Sequence, residues 1–171
     1  MTSPTDDLLD AVAAGSHHDP HSVLGMHAGT DAEGANEWTI RARRPLAKSV
    51  TAVFGDGTRV PLEHVRAGIW EGVRSGDGGT YEVVTTYEDA PDYTAVDPYR
   101  FGPAIGELDL HLIREGRHEE LWRVLGAHVR EIEGTKGTSF TVWAPNARAA
   151  RVVGDFNSWD GSAHAMRSMG A

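Results

Sequence analysis

With 171 residues, 40% hydrophobic and 24% charged, the chain has the make-up of a folded globular protein of one ordinary or two small domains, which excludes a disordered chain. A formal net charge of −9 argues against nucleic acid and anionic membrane as partners, since both select basic surfaces, while a neutral polymer such as a polysaccharide is compatible with it. Cysteine is absent, so disulfides and thiolate chemistry are excluded, as suits a cytoplasmic protein; no apolar run reaches the roughly 18 to 20 residues of a membrane span.

In chain order, Asp6 to Ala14 (DDLLDAVAA) reads as a short helix. Acidic residues fill its first turn, Leu8, Leu9 and Val12 share a face, and Gly15 is placed to stop it. From Trp38 to Tyr87 the pattern changes to short strands. WTIRA, SVTAVF, RVPLEH, IWEGV and YEVVTTY are separated by turn formers such as Gly55-Asp56-Gly57 and Asp77-Gly78-Gly79, a spacing that predicts an antiparallel sandwich. Beyond Pro98 and Pro103 a helix is expected from about Glu107 to Leu125. There Glu119 and Glu120 precede Arg123 at helical spacing, Leu121, Trp122 and Leu125 supply an apolar face, and Gly126 ends it. Strand patterning returns from Ser139.

That return is a repetition. HSVLGMH (His21 to His27) resembles WRVLGAH (Trp122 to His128), and WTIRARRPLAKSVTAVFGDG (from Trp38) lies without a gap against FTVWAPNARAARVVGDFNSW (from Phe140), an offset of 102 residues. At that offset Trp38 faces Phe140, Ile40 faces Val142 and Phe54 faces Phe156. The first copy continues past Gly68 into further strands, whereas the second reaches Gly170 and stops, so the sequence reads as a fragment. The expected fold is mainly β: two consecutive immunoglobulin-like β-sandwich modules joined by a short helical segment, the second incomplete. The expected division is an N-terminal helix over 1–16, a sandwich over 17–105, a helical linker over 106–128 and the first part of a second sandwich over 129–171.

Candidate chemistry is sparse. His17, His18, His21 and His27 invite a metal, but Asp19-Pro20 breaks any helix that would gather them, so they are read as exposed or loop-structuring and no metal or cofactor is expected. Carboxylates are plentiful (Asp97, Glu107, Asp109, Glu119, Glu120, Asp155, Asp160), yet nothing marks a cleft that would hold two of them across a glycosidic bond. Trp38, Trp70, Trp122 and Trp143 are expected in cores, since an indole buries much apolar area. Trp159 is different: with Asn157 and Asp160 beside it in a turn, it has the chemistry of a sugar platform. A pyranose stacks its C–H face on a flat ring while its hydroxyls bond to nearby amides and carboxylates.

FTVWAPNARAARVVGDFNSWDG (Phe140 to Gly161) resembles the opening of a family 48 carbohydrate-binding module, in the strand ending WAPNA, the strand RVVGDFN and the turn at Trp159-Asp160. Such modules precede the catalytic barrel of starch- and glycogen-active enzymes of glycoside hydrolase family 13, among them branching enzymes, debranching enzymes and trehalohydrolases. DPHSVLGMH (from Asp19) and DPYRFGPAIGELDLHLIREGRHEELWRVLGAH (from Asp97) narrow the resemblance to the bacterial 1,4-α-glucan branching enzyme family of glycogen synthesis. It implies an α-glucan partner and a parent activity that cleaves α-1,4-glucan and forms α-1,6 branches by retaining transfer. The nucleophile and acid/base of that family lie in its barrel and match no position here, so this chain alone is expected to be inactive, at most a glucan-binding or bracing module. The alternatives are a stand-alone glucan-binding or adaptor protein, or the N-terminal part of another family 13 enzyme, a debranching enzyme or trehalohydrolase.

Overall fold

The computed structural model describes residues 4–170. Helix α1 (Asp6–Ala13) forms where its end signals stand: the Thr5 side chain accepts from the Leu8 N–H, and Gly15 closes the helix at φ +63°. Its buried face is Leu9, Val12 and Ala13. A 3₁₀ turn (Pro20–Ser22) then leads into the strands.

Strands β1 (Gly25–Thr30), β2 (Asn36–Arg43), β3 (Ser49–Phe54), β4 (Arg59–Arg66), β5 (Ile69–Ser75), β6 (Tyr81–Thr86) and β7 (Tyr93–Val96) form one antiparallel sheet in the order β1-β2-β5-β4-β3-β6-β7. The sheet curls on itself, and residues from both halves meet in one core: Ile40, Ala42 and Trp70 from β2 and β5, Val50, Ala52, Phe54, Tyr81 and Val83 from β3 and β6. Alternation dictates this. In β3, Val50, Ala52 and Phe54 are buried and the residues between them are not. The start of β5 is buried on both faces, because Trp70 enters the sandwich core while Ile69 meets α1 in a second core with Leu9, Val12, Val23, Leu24 and Tyr99. Each large apolar side chain so enclosed contributes roughly 1.5–3 kcal/mol.

After a 3₁₀ turn (Pro98–Arg100) the chain enters α2 (Glu107–Arg114), a 3₁₀ turn (Leu121–Arg123), and the hairpin of β8 (Gly126–Ile132) with β9 (Thr135–Thr141). The single helix expected from Glu107 to Leu125 does not form. Gly116 at φ +66° ends α2, with the Arg117 N–H returning to the Leu112 carbonyl.

This segment repeats the first, 101 residues on. α1 and α2 each have eight residues and stop on a positive-φ glycine, Gly15 and Gly116. Ser16 N–H bonds to Ala11 O as Arg117 N–H bonds to Leu112 O, both at 2.9 Å. Asp19 N–H bonds to His17 Nδ1 as Glu120 N–H bonds to His118 Nδ1, both at 3.2 Å. Gly25 and Gly126 open the strands at φ +95° and +104°.

Beyond the hairpin turn the offset becomes 100, not the 102 of the ungapped comparison. Met26 pairs with Ile40 and Ala127 with Phe140, so Phe140 is the counterpart of Ile40. The following turns agree: Ala47 N–H bonds to Arg44 O and Ala147 N–H to Ala144 O. A two-residue slip leaves every side chain on its own face, so alternation alone cannot detect it.

The segment RVVGDFN, expected as a strand, makes only the isolated bridge Arg151 to Ala165 and then turns as 3₁₀ at Asp155–Asn157. Its backbone is taken by a side chain instead: Asn157 accepts from the Gly154 N–H and donates to the Val152 carbonyl, both at 2.9 Å. The end of the chain is pinned to the first module by Arg151 Nε on Gly15 O (2.8 Å), Ala165 N–H on the Tyr99 hydroxyl (3.0 Å) and Ser168 N–H on His18 O (2.7 Å). No helix is long and apolar enough to cross a membrane among the described residues.

Candidate functional site

The tryptophans divide in two. Trp70 is buried in the sandwich core with its Nε1 donating to Arg44 O, and half-buried Trp38 donates to Gly76 O, each at 3.0 Å. Trp122 and Trp143, expected in cores, are exposed, Trp122 to 66%. The repeat explains this. Trp122 is the counterpart of His21, which the first module covers with the ring of Tyr99 at 4.9 Å; α2 has no buried residue, and nothing among the described residues takes the place of Tyr99 beside it.

Trp159 is also 66% exposed, and its backbone is unusual. Ser158 and Trp159 both lie in the left-handed region, at φ +51° and +59°. For a bulky residue this conformation is costly and persists only where surrounding bonds impose it. They do so here. The Trp159 N–H bonds to Gly154 O at 3.0 Å, and the Asp160 N–H to Asn157 O at 2.9 Å. The indole Nε1 donates to Asp155 Oδ1 at 3.0 Å.

The two polar residues expected to flank this ring are occupied otherwise. Asn157 spends both amide ends inside the loop, on Gly154 and Val152, with its nitrogen 3.1 Å from His164 Nδ1. Asp160 caps the 3₁₀ turn Gly161–His164, its Oδ1 accepting from the Ser162 N–H at 2.9 Å and from the Ser162 hydroxyl. Those two bonds, the hydroxyl first, hold the Asp160 carboxyl below its usual range, so it is ionised at neutral pH. Burial pushes His164 down, leaving a neutral ring against the edge of Phe156 at 5.4 Å. The group that does touch the indole, Asp155, was legible only as one carboxylate among many; its signal is its place four residues before the tryptophan in a tight turn.

Elsewhere the candidate carboxylates are structural. Asp97 is fully buried, accepting from the Tyr81 hydroxyl at 2.6 Å and the Tyr99 N–H at 3.1 Å, and burial pushes its carboxyl up. Glu107 and Asp109 occupy the first turn of α2, and Asp109 lies 3.1 Å from His118 Nε2. Of the histidines, His21 is enclosed beside Tyr99, His27 is tied to Leu24 O at 3.1 Å, and His17 and His18 stack on each other.

A cavity of about 770 Å³ does not include Trp159. It lies between the first module and the second hairpin, bordered by Tyr99, Ile113, Phe140, Val142 and Phe156. Phe140 is 41% exposed there, whereas its counterpart Ile40 is sealed in the first core. The cavity is therefore the open apolar side of the hairpin, a sandwich interior by position, not a polar-lined sugar cleft.

Residues 5–99 match the model of the alpha-1,4-glucan branching enzyme GlgB N-terminal domain, and residues 124–170 match carbohydrate-binding module 48 (isoamylase N-terminal domain). The chain is 57% identical over 167 residues to the 1,4-alpha-glucan branching enzyme GlgB of Leifsonia xyli subsp. xyli, covering 97% of this chain and 23% of that protein. It is 53% identical to the GlgB of Thermobifida fusca (100% and 23%) and 47% identical to GlgB 1 of Streptomyces coelicolor (99% and 21%). It thus spans under a quarter of the length of these curated relatives. Because the first of those models covers more than half of the residues, the chain belongs to the family of alpha-1,4-glucan branching enzyme GlgB N-terminal domains.

Proposed function

We propose that this chain is the N-terminal glucan-binding region of a cytoplasmic 1,4-alpha-glucan branching enzyme, with α-glucan as its partner and Trp159 as the ring on which a glucose unit stacks. The observation that carries the reading is the exposed indole of Trp159, held at φ +59° by a loop whose polar groups are spent on fixing it. Aromatic faces exposed at an energetic cost are more characteristic of binding than of packing. Asn157 and Asp160 act in this reading as loop supports, with Asp160 adding negative charge beside the ring. Cleavage and branch transfer belong to the wider enzyme; these residues bring the chain to the polymer. Helix α2 begins the second module as α1 begins the first, so 106–128 serves that module and is more than a linker.

The test is retention on a glycogen-containing native gel. The parent chain is slowed, and Trp159→Ala runs as it does without glycogen while its circular dichroism is unchanged. Equal retardation of the two would refute the assignment.

A bracing role is the second reading, favoured by the bonds that tie Ala165, Arg151 and Ser168 to Tyr99, Gly15 and His18. It predicts no retardation of the parent chain.

A further inference from the structure

We infer that Asp155 is the positioning residue of the Trp159 platform: its carboxylate holds the indole in its exposed pose and so sets how well the ring stacks on an α-glucan. The inference rests on the glucan-binding reading of Trp159 and adds a residue to it.

An exposed tryptophan with nothing around its ring samples several rotamers, and stacking on a sugar must select one of them. Restraining the ring beforehand lowers the entropy lost on binding. Packing supplies no such restraint here, because Trp159 is among the most exposed large apolar residues of the chain. The restraint is polar. Trp159 is tied twice to consecutive residues, its N–H to Gly154 O and its Nε1 to Asp155 Oδ1, both at 3.0 Å. With main chain and ring tip both fixed, the indole pivots about neither end.

The position of Asp155 is itself fixed. It opens the 3₁₀ turn Asp155–Asn157, whose entry residue Gly154 is held by Asn157 Oδ1. The Phe156 ring lies directly over Gly154, 2.5 Å from where a side chain there would begin, so a larger residue would have to displace the ring. The Asn157 amide and Asp160 Oδ1 are engaged elsewhere in the loop, and Asp155 is the carboxylate that meets the indole N–H.

The experiment is titration of the chain with maltoheptaose, comparing the parent with Trp159→Ala, Trp159→Phe, Asp155→Ala, Asp155→Asn and the double variant Asp155→Ala/Trp159→Phe. Phenylalanine keeps a stacking face but lacks the indole N–H, so it separates the ring from its tether. Asp155→Ala is expected to weaken binding about three- to tenfold, the range for freeing one side chain at an interface. Asp155→Asn, which keeps an acceptor oxygen, restores most of that loss. In the Trp159→Phe background the Asp155→Ala change has little further effect.

Equal losses from Asp155→Ala in both backgrounds would mean that the residue acts on the loop and not through the indole, overturning the inference. So would undiminished binding by Asp155→Ala while Trp159→Ala loses it, a result that leaves the platform reading intact. Undiminished binding by Trp159→Ala overturns both.

Discussion

His27 and His128 make the same bond 101 residues apart: each ring Nε2 lies close to the carbonyl oxygen three residues before it, Leu24 O at 3.1 Å and Leu125 O at 2.9 Å. The match extends upstream through both helices and their glycine stops, so the repeated unit is a helix, a 3₁₀ turn and a hairpin, not the strands alone. What differs is the cover. In the first copy the helix packs on Ile69 and Tyr99; in the second, α2 buries nothing.

The glycines that open the paired strands separate backbone strain from close approach. A methyl group at Gly25 would sit 2.5 Å from Tyr99 O, whereas at Gly126 the nearest atom is 3.9 Å away, with nearly the same φ at both sites. Gly126→Ala is expected to cost about 1–3 kcal/mol from φ alone. Gly25→Ala adds overpacking of about another 1–3 kcal/mol. Thermal denaturation of the two variants checks this, and equal losses would show that φ sets the whole cost.

Stability should fall on mild acidification, with His21 as one cause. Burial above all, then the Arg167 charge, depresses its pKa to about 4, against an ordinary value near 6.5. The fold thus prefers the neutral ring. This contribution is complete above pH 6.5 and is lost as pH falls from 6.5 towards 4, because the unfolded chain takes up the proton first. His164 is shifted in the same direction by burial, and Asp97, shifted up, partly opposes both. The melting temperature of His21→Gln is therefore expected to fall less steeply over that window than the parent's, whatever its absolute value.

Leu46 offers a gain. It is 93% exposed and sits at φ +62° in the turn between β2 and β3. Leu46→Asn places a residue that tolerates the left-handed region where no packing is lost, and should stabilise the chain by about 0.5–1 kcal/mol. Chemical denaturation reads the change directly.

How much of this was legible depended on which signal each element used. SVTAVF was readable to the residue because burial alternates through it, and α1 to within one residue because its acidic first turn and glycine stop are local. β1 (GMHAGT) was not read, since its two glycines and weak alternation carry little strand signal, nor was β7, an edge strand of four residues. The helix drawn through Gly116 followed apolar spacing past a stop that the first copy had already displayed at Gly15. At the site, Trp159 was identifiable as an aromatic in a polar turn. The roles of its neighbours were not, because Asn157, Asp160 and Asp155 differ only in where the folded loop points their bonds.

The loop should loosen when Asn157 is shortened. Asn157→Ala removes the acceptor of the Gly154 N–H and the donor to Val152 O, while Asp160→Ala removes only the cap on Ser162. Amide exchange of Gly154 is expected to quicken in Asn157→Ala and to stay near the parent rate in Asp160→Ala. Equal exchange in the parent and Asn157→Ala would show that the side chain does not hold the loop.

The central claim, that Trp159 receives an α-glucan, is tested most directly by the indole N–H signals of the chain during titration with maltoheptaose. The Trp159 signal, identified by its loss in Trp159→Phe, is expected to shift on binding while that of Trp70, closed in the sandwich core, stays in place. A Trp159 signal that does not move at saturating maltoheptaose would contradict the account.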